Sequence, residues 1–311
     1  MIDVDHIERQ LESAVPRPDS GRAAPTPAQT APPRPRSAGA PGAPAGASRR
    51  DTVSWATMRA LLAGDRHAAR ANSEVMLALA QEAGDQRTWD CYWMQRFWLA
   101  MEWGDEAERD ELADHCRQRA YRADDLQWWA ALSLLLAQTG KAHEAAEAFD
   151  DAFGRLSAAD DAVRLDVATN LADTAFLLRD DYLGGRLHYT LTWTPGLVVT
   201  VGDGWVCKGA IERYRALGAA AVGSFAQADA DFAYAVSTHR AMGAEPLLAR
   251  TLHQWGTSLV GRDDSRAAAF LGESAELARR LHLSGPTGTT KSPPAGIRLR
   301  LRGGGGAAGG R

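Results

Sequence analysis

Residues 225–242 read FAQADADFAYAVSTHRAM, and this stretch decides the fold. Its apolar residues return at the 3.6-residue period of an α-helix, while the charged ones fall elsewhere. The apolar face consists of Phe225, Ala228, Phe232, Ala235, Val236, His239 and Met242. Within it, a large residue lies between two small ones, four and three positions away. Small residues let a neighbouring helix approach, so the pattern predicts a helix packed against others.

The same small–large–small pattern occurs at Ala145, Phe149 and Ala152. Short turns also recur between helical stretches, and their glycines are spaced 40, 36, 83 and 38 residues apart. These glycines are Gly64, Gly104, Gly140, Gly223 and Gly261. The interval of 83 holds two repeats, with Arg179-Asp180-Asp181 near its midpoint. A period of 36–40 with a turn in the middle is typical of helix–turn–helix repeats such as the tetratricopeptide unit.

Six units follow from this spacing, at about 52–83, 86–120, 124–157, 161–194, 207–243 and 246–283. The run Leu197–Val201 has the composition of a strand, but we interpret it as part of a loop between units four and five. Trp205 is expected to pack on the helix that follows this loop. The predicted fold is all-α, a right-handed tetratricopeptide-like helical solenoid.

Residues 202–281 resemble the C-terminal tetratricopeptide region of large bacterial regulators, namely LuxR-type and MalT-like ATPases and cyclase–ATPase–tetratricopeptide proteins. The resemblance rests on Gly202-Asp203-Gly204-Trp205, Glu212-Arg213-Tyr214 and the run from Met242 to Thr251. It is looser back to about residue 51, and no nucleotide-binding, helix-turn-helix or cyclase domain precedes it. The resemblance therefore implies a regulatory sensor or scaffold part, not the activities of the whole regulators.

Charge divides the chain into four segments. Residues 1–15 carry −3 and form a short amphipathic helix or are disordered, while 16–50 are rich in proline, alanine and arginine and carry +5. Residues 51–283 form the repeat domain with −11, and the Gly/Arg-rich tail 284–311 carries +5. Low apolar content predicts that both basic segments are disordered. Their charge could serve contacts with nucleic acid or an acidic partner, but the biased composition of the chain is the favoured explanation.

The composition limits the cellular setting. No run of 18 apolar residues predicts a membrane span, and no apolar segment at the N-terminus resembles a secretory signal. Three cysteines, Cys91, Cys116 and Cys207, are too few for a disulfide framework or a four-cysteine zinc module. We therefore expect a cytoplasmic protein.

Motifs for catalysis fail on inspection. Gly285–Ser292 imitates a phosphate loop, but Thr290 replaces the glycine before Lys291 and prolines follow. Four aspartate pairs could suggest a divalent metal, yet each lies at the start of a predicted helix, where one carboxylate caps free backbone amides. These pairs are Asp124-Asp125, Asp160-Asp161, Asp180-Asp181 and Asp263-Asp264. We predict no enzyme activity, no cofactor and no metal site.

The tryptophans are the candidate site. Trp89, Trp93, Trp98 and Trp103 lie on one predicted helix, and Trp128 and Trp129 on the first helix of the next unit. One helix face cannot bury them all. Either the helix is buried on two sides, or the residues line a concave groove that binds a peptide or apolar ligand. We expect Trp93 and Trp129 to be buried and Trp98 to be partly accessible.

The expected function is a non-catalytic regulatory module that binds a protein partner or a small effector, in bacterial signalling or transcriptional regulation. The first alternative is a nucleic-acid-associated transcriptional regulator that uses its basic arms. The second is an enzyme whose site the sequence does not reveal.

Overall fold

The computed structural model describes residues 48–191 and 196–284, and helices make up 81% of them. Within these ranges twelve α-helices follow one another, with a short 3₁₀ turn at Leu156–Ala158. They are α1 Arg49–Ala63, α2 Arg66–Ala83, α3 Gln86–Trp103, α4 Glu106–Ala123, α5 Leu126–Gln138, α6 Ala142–Arg155, α7 Asp161–Leu178, α8 Asp181–Leu191, α9 Ile211–Ala221, α10 Phe225–Met242, α11 Glu245–Leu259 and α12 Asp264–Arg280. The all-α prediction is confirmed.

In chain order the twelve helices match, two at a time, the bounds of the six predicted units, although α4 packs more extensively on α5 than on α3. Turns between partners use left-handed residues, as at Gly64, where φ is 73° and the backbone N–H donates to carbonyls of α1. Arg179 adopts the same left-handed backbone conformation between α7 and α8, where the repeat has no glycine. Gly104 differs, because it ends α3 in an extended conformation. A Cβ atom there would lie 2.7 Å from the Ala100 backbone, which accounts for the glycine.

Aspartates start most of the helices. Asp125, Asp160 and Asp263 each accept a hydrogen bond from a backbone N–H in the first turn of the helix that follows, and the Asp180 carboxylate accepts from Leu183 N at 3.0 Å. Such caps satisfy amides that have no partner within the helix. The capping interpretation of the four acidic pairs is thereby confirmed. Asp124 is the member that instead ends a helix, in a left-handed conformation.

First and second helices of the pairs are buried differently. Second helices bury one stripe, as α6 does with Ala145, Ala148, Phe149 and Ala152. Apart from α1, which buries a single stripe, first helices are buried on most of their surface: every residue from Trp128 to Leu136 of α5 is buried, and so is every residue from Asp166 to Ala175 of α7. The first helices therefore form an inner layer, and the second helices cover it.

A β-hairpin corrects the prediction for residues 197–210. Strand β1 (Val198–Val201) pairs in antiparallel register with β2 (Val206–Ala210), so the start of predicted unit five is a strand rather than a helix. The hairpin contacts α1, α3, α7 and α10. Trp205 packs against the main apolar cluster and also against a second cluster formed by Met76, Cys91 and Tyr92 of the first two pairs, a contact that the sequence did not predict.

The first and last pairs of the array meet. Helix α11 contacts α1, and the Trp103 Nε1 donates to the Leu281 carbonyl at 2.9 Å. Ser284 N donates to the Glu102 carbonyl at 2.7 Å, and the Arg109 guanidinium donates to Ser284 Oγ at 3.0 Å. These contacts and the buried first helices cover the inward surface that an open solenoid exposes, so the predicted solenoid is not confirmed.

Described contacts reach slightly beyond residues 51–283 at both ends. Ser48 caps α1 in a reciprocal arrangement with Asp51, and Ser284 is anchored by the contacts above. The predicted helix at 1–15, most of the 16–50 segment, the tail from residue 285 and the phosphate-loop-like Gly285–Ser292 lie outside the described residues.

Candidate functional site

Four of the six candidate tryptophans are buried. Trp98 is only 4% exposed, and Trp103, Trp128 and Trp129 are buried to the same degree. Trp89 and Trp93 keep part of their surface. The expectation that Trp98 is accessible is wrong, and so is the full burial expected for Trp93. The burial of Trp129 is confirmed.

The tryptophans also fail to form one surface, because each packs in a different environment. Trp93 stacks on His115 with ring centroids 3.9 Å apart, and His115 meets Trp128 edge-on at 5.0 Å. Burial, with a smaller effect from Arg119, lowers the pKa of His115 to about 4. His115 is therefore uncharged at pH 7, and its ring fills the space between two indoles.

Trp98 is instead buried close to two cations. The Lys208 Nζ lies 5.5 Å and the Arg250 Cζ 5.6 Å from its ring. Cations near an indole face are attracted by the ring quadrupole, most strongly where water is excluded. Trp98 is thus a structural partner of buried charges and does not line a groove.

These charges belong to a network that the sequence analysis missed. Three ion pairs join first helices and β2, and all six side chains are nearly inaccessible. They are Lys208–Asp166, Arg213–Asp173 and Arg250–Glu102. Since they contribute three charges of each sign, these three pairs are neutral as a group. In the sequence these residues look like ordinary surface charges, and only their position on first helices or beside Gly209 could have singled them out.

Polar neighbours satisfy much of this network. The Lys208 Nζ donates to Thr169 Oγ1 at 3.0 Å and to Asn170 Oδ1 at 2.7 Å. Gln254 Nε2 donates to Asp173 at 2.8 Å. Burial lowers the pKa of Lys208, and Asp166 opposes that shift. Burial also raises the pKa of Tyr214, whose hydroxyl donates to the Lys208 carbonyl at 3.0 Å.

The network has the properties of a structural element. Buried ion pairs fix which elements lie together, because leaving one charge unpaired in the interior is expensive. Here they join α3, α7, β2, α9 and α11. Among residues 48–191 and 196–284 no three His, Cys, Asp or Glu side chains are grouped so that they could hold a metal ion.

A groove on the outside of the array has the properties of a binding site. It lies between the C-terminal part of α6, the start of α7, the end of α8 and the segment before β1, and its volume is about 1010 Å³. Its lining includes the buried apolar residues Leu156, Ala168 and Leu191, and the partly exposed Phe153, Leu165 and Leu197. Ligand sites are typically concave and mostly apolar, with a few polar groups.

Polar groups surround this groove. Arg164 donates to the Ala159 carbonyl at 2.6 Å and pairs with Asp161 at 3.1 Å. Arg186 pairs with Asp150, and its Cζ lies 4.1 Å from the centroid of the Phe153 ring. Both arginines are thus held in place by the fold.

One exposed face of α8 reaches the groove through Arg186 and Tyr189. Tyr182, Arg186 and Tyr189 follow one another at i, i+4 and i+7, so they share one helix face. Tyr182 is 75% and Tyr189 is 73% exposed. Tyr and Arg are enriched at protein interfaces relative to the rest of the surface. The spacing of the two tyrosines was visible in the sequence, but nothing there placed the groove beside them.

Comparison with known proteins returned no match, whether to a protein-family model, to a curated protein or to a solved structure. Among the described residues, no helix has both the length and the apolar character needed to cross a bilayer.

Proposed function

We propose that this protein is a non-catalytic regulatory repeat module that binds a segment of a protein partner in the groove beside α8. The observation that supports the proposal is the apolar groove of about 1010 Å³, bordered by Tyr189 and Arg186. Tyrosine and arginine are enriched among the hot spots of protein interfaces, because they bury large areas and also make polar contacts.

The buried network is consistent with an inner layer that serves as a structural scaffold for the groove. Its charges are paired inside the inner layer and out of reach of a ligand, whereas the groove side chains lie at the surface. A rigid inner layer would hold α7 and α8 in fixed positions, which lowers the entropic cost of binding.

The regulatory setting is part of the proposal. It rests on the resemblance of residues 202–281 to the tetratricopeptide regions of bacterial regulators, and it places the protein in the cytoplasm. A small effector in the same groove is the second candidate, because the groove volume also suits a small molecule.

A random peptide display library tests the proposal. Peptides selected on the full chain would be tested against the double variant Tyr182→Ala/Tyr189→Ala. The matched control is Tyr121→Ala/Tyr234→Ala, which removes two other tyrosines that are 69% and 51% exposed. Unchanged melting curves would show that all variants are folded.

We expect the selected peptides to lose binding to the α8 double variant by about 30-fold per hot-spot residue. The control variant should bind them like the unmodified chain. Peptides that bind all variants equally would refute the groove as the site. If no peptide is selected, but a compound from a small-molecule library binds and depends on the same tyrosines, the second candidate, a small effector, is favoured.

A further inference from the structure

The outer edge of strand β1 indicates how a partner segment binds, and this inference rests on the proposed function. We propose that the partner segment is extended, pairs with β1 as a third strand, and places apolar side chains and one carboxylate in the groove. Three features of the structure support it: the backbone groups of β1, the position of β1 at one end of the groove, and the charges of the groove lining.

The backbone groups of β1 alternate between two edges. The carbonyls of Leu197 and Val201 face the β2 arm of the hairpin, where each accepts a backbone hydrogen bond at 2.9 Å. Backbone groups of successive residues in an antiparallel strand point to opposite edges, so those of Val198 and Thr200 point away from β2. The register shift in the hairpin adds its extra residue to β2, so the alternation along β1 is regular. In the described parts of the chain the sheet has two strands, which leaves this outer edge without a neighbouring strand.

The outer edge is also accessible to a partner. Val198 is 43% exposed and Thr200 is exposed, whereas Val199 and Val201 are buried against the array. The edge therefore offers two N–H donors and two C=O acceptors, in the alternating arrangement that another extended backbone matches. Strand addition to an exposed sheet edge is a recurring mode of peptide recognition, in which main-chain hydrogen bonds supply the affinity.

The groove continues from the start of β1. Leu197 lines the groove and directly precedes β1. Strand β1 also contacts α7, whose Leu165 and Ala168 belong to the groove lining. A segment paired with Val198 can therefore extend past Leu197 into the groove. Alternate side chains of a strand point to the same face, so we expect every second residue of the segment to be apolar.

The charged side chains of the lining indicate an acidic residue in the segment. Two guanidinium groups, those of Arg164 and Arg186, line the groove together with one carboxylate, that of Asp161. Asp161 and Asp150 pair with these arginines, but their side chains are 92% and 63% exposed. Exposed ion pairs contribute little, so a carboxylate of the partner can replace either aspartate. Arg164 Nε is buried and has no hydrogen-bond partner among the described residues, and a partner carboxylate would accept from it.

The experiment is a backbone N-methylation scan of the two tightest peptides that the random display library yields on the full chain. A methyl group replaces one amide hydrogen at a time, and fluorescence anisotropy measures each Kd. Only alternate amides of a strand donate to the edge that it pairs with. We therefore expect the Kd to rise at least about tenfold at every second residue of the paired segment, and less than about threefold at the residues between them.

Protein variants test both contacts from the other side. Thr200→Pro removes an outward N–H of β1 and leaves the hydrogen bonds to β2 in place, so it should weaken binding about tenfold. Its matched control is Glu106→Pro at the exposed first position of α4, where proline is tolerated. Arg164→Gln should also weaken binding about tenfold, and the peptide with its acidic residue changed to the amide should then lose nothing further. Arg240→Gln, on the exposed surface of α10, should bind like the unmodified chain.

The outcomes separate this inference from the proposed function. Sensitivity to N-methylation at consecutive residues, or at none, would show that the partner does not pair with β1. If such peptides still depend on Tyr182 and Tyr189, only the proposed function stands. Peptides whose acidic residues do not couple to Arg164, or that carry none, would overturn the carboxylate contact. A library that yields no binding peptide would refute this inference together with the binding of a protein segment.

Discussion

Asp173 binds two other members of the buried network, Arg213 and Gln254. The variant Asp173→Asn therefore tests how much this network contributes to the free energy of unfolding. The carboxylate pairs with Arg213, which is 0% exposed, and accepts a hydrogen bond from Gln254 at 2.8 Å. Asparagine keeps the shape but leaves the guanidinium without its counter-charge. Removing one partner of a buried pair costs about 3–5 kcal/mol. A domain has only about 5–15 kcal/mol in total.

The measurement is urea unfolding followed by far-UV circular dichroism. We expect Asp173→Asn to lower the free energy of unfolding by about 3–5 kcal/mol, and the melting temperature by about 6–20 °C for a domain of this size. Glu273→Gln is the control, since Glu273 pairs with Arg240 at the surface at 2.7 Å. Exposed pairs contribute less than about 1 kcal/mol, so this variant should unfold almost like the unmodified chain.

A double variant separates the charge from the packing. Asp173→Leu combined with Arg213→Met removes both charges, so most of the lost free energy of unfolding should be restored. A destabilisation of about 1–3 kcal/mol should remain, because the Gln254 amide loses its hydrogen-bond acceptor. If Asp173→Asn costs less than about 1 kcal/mol, the pair is not buried as described. If the double variant loses as much stability as Asp173→Leu and Arg213→Met lose in sum, the unpaired charge does not cause the destabilisation of the single variants.

Three other predictions follow from the packing. Trp98→Ala should lower the free energy of unfolding by about 3–5 kcal/mol, because its indole is 4% exposed, and a loss within about 1 kcal/mol would contradict its burial. Truncation after Ser284 should leave the melting temperature unchanged, whereas truncation after Arg280 removes the carbonyl bound by Trp103 and should lower it measurably in calorimetry. The pKa of His115 is lowered to about 4 in the folded chain, so the unfolded chain binds a proton at a higher pH than the folded chain does. The free energy of unfolding should therefore fall as the pH drops from about 6.5 to about 4. Urea unfolding at a series of pH values should show a weaker pH dependence of this free energy for His115→Phe.

Local chemistry explains why so much of the helical architecture could be predicted. Helix α10 runs from Phe225 to Met242, the bounds that its apolar period predicts. The aspartate caps are equally local, because each carboxylate bonds an amide two or three residues away. Such interactions need no information about distant parts of the chain, so the helices, their pairing and their turns can be read from the sequence.

The β-hairpin shows where this local information ends. Val206–Ala210 forms a strand because distant residues hold it. Lys208 reaches Thr169 and Asn170 on α7, and Gly209 has a φ of 82°. A Cβ atom at Gly209 would lie 2.2 Å from His239 Nε2, so glycine is required by a contact with α10. Periodicity within five residues contains none of these constraints.

The sequence by itself determined six helix pairs, their turns and caps, and an acidic domain between two basic segments. Tertiary structure alone decided which surfaces face inward. Leu281 and Ser284 bind Trp103 and the Glu102 carbonyl, which lie about 180 residues earlier in the chain, and this closure covers the inner face of the first helices. Burial is a property of the assembled array, because a side chain loses its water only when distant helices come together. That is why Trp98 is enclosed while Tyr182 and Tyr189 remain at the surface.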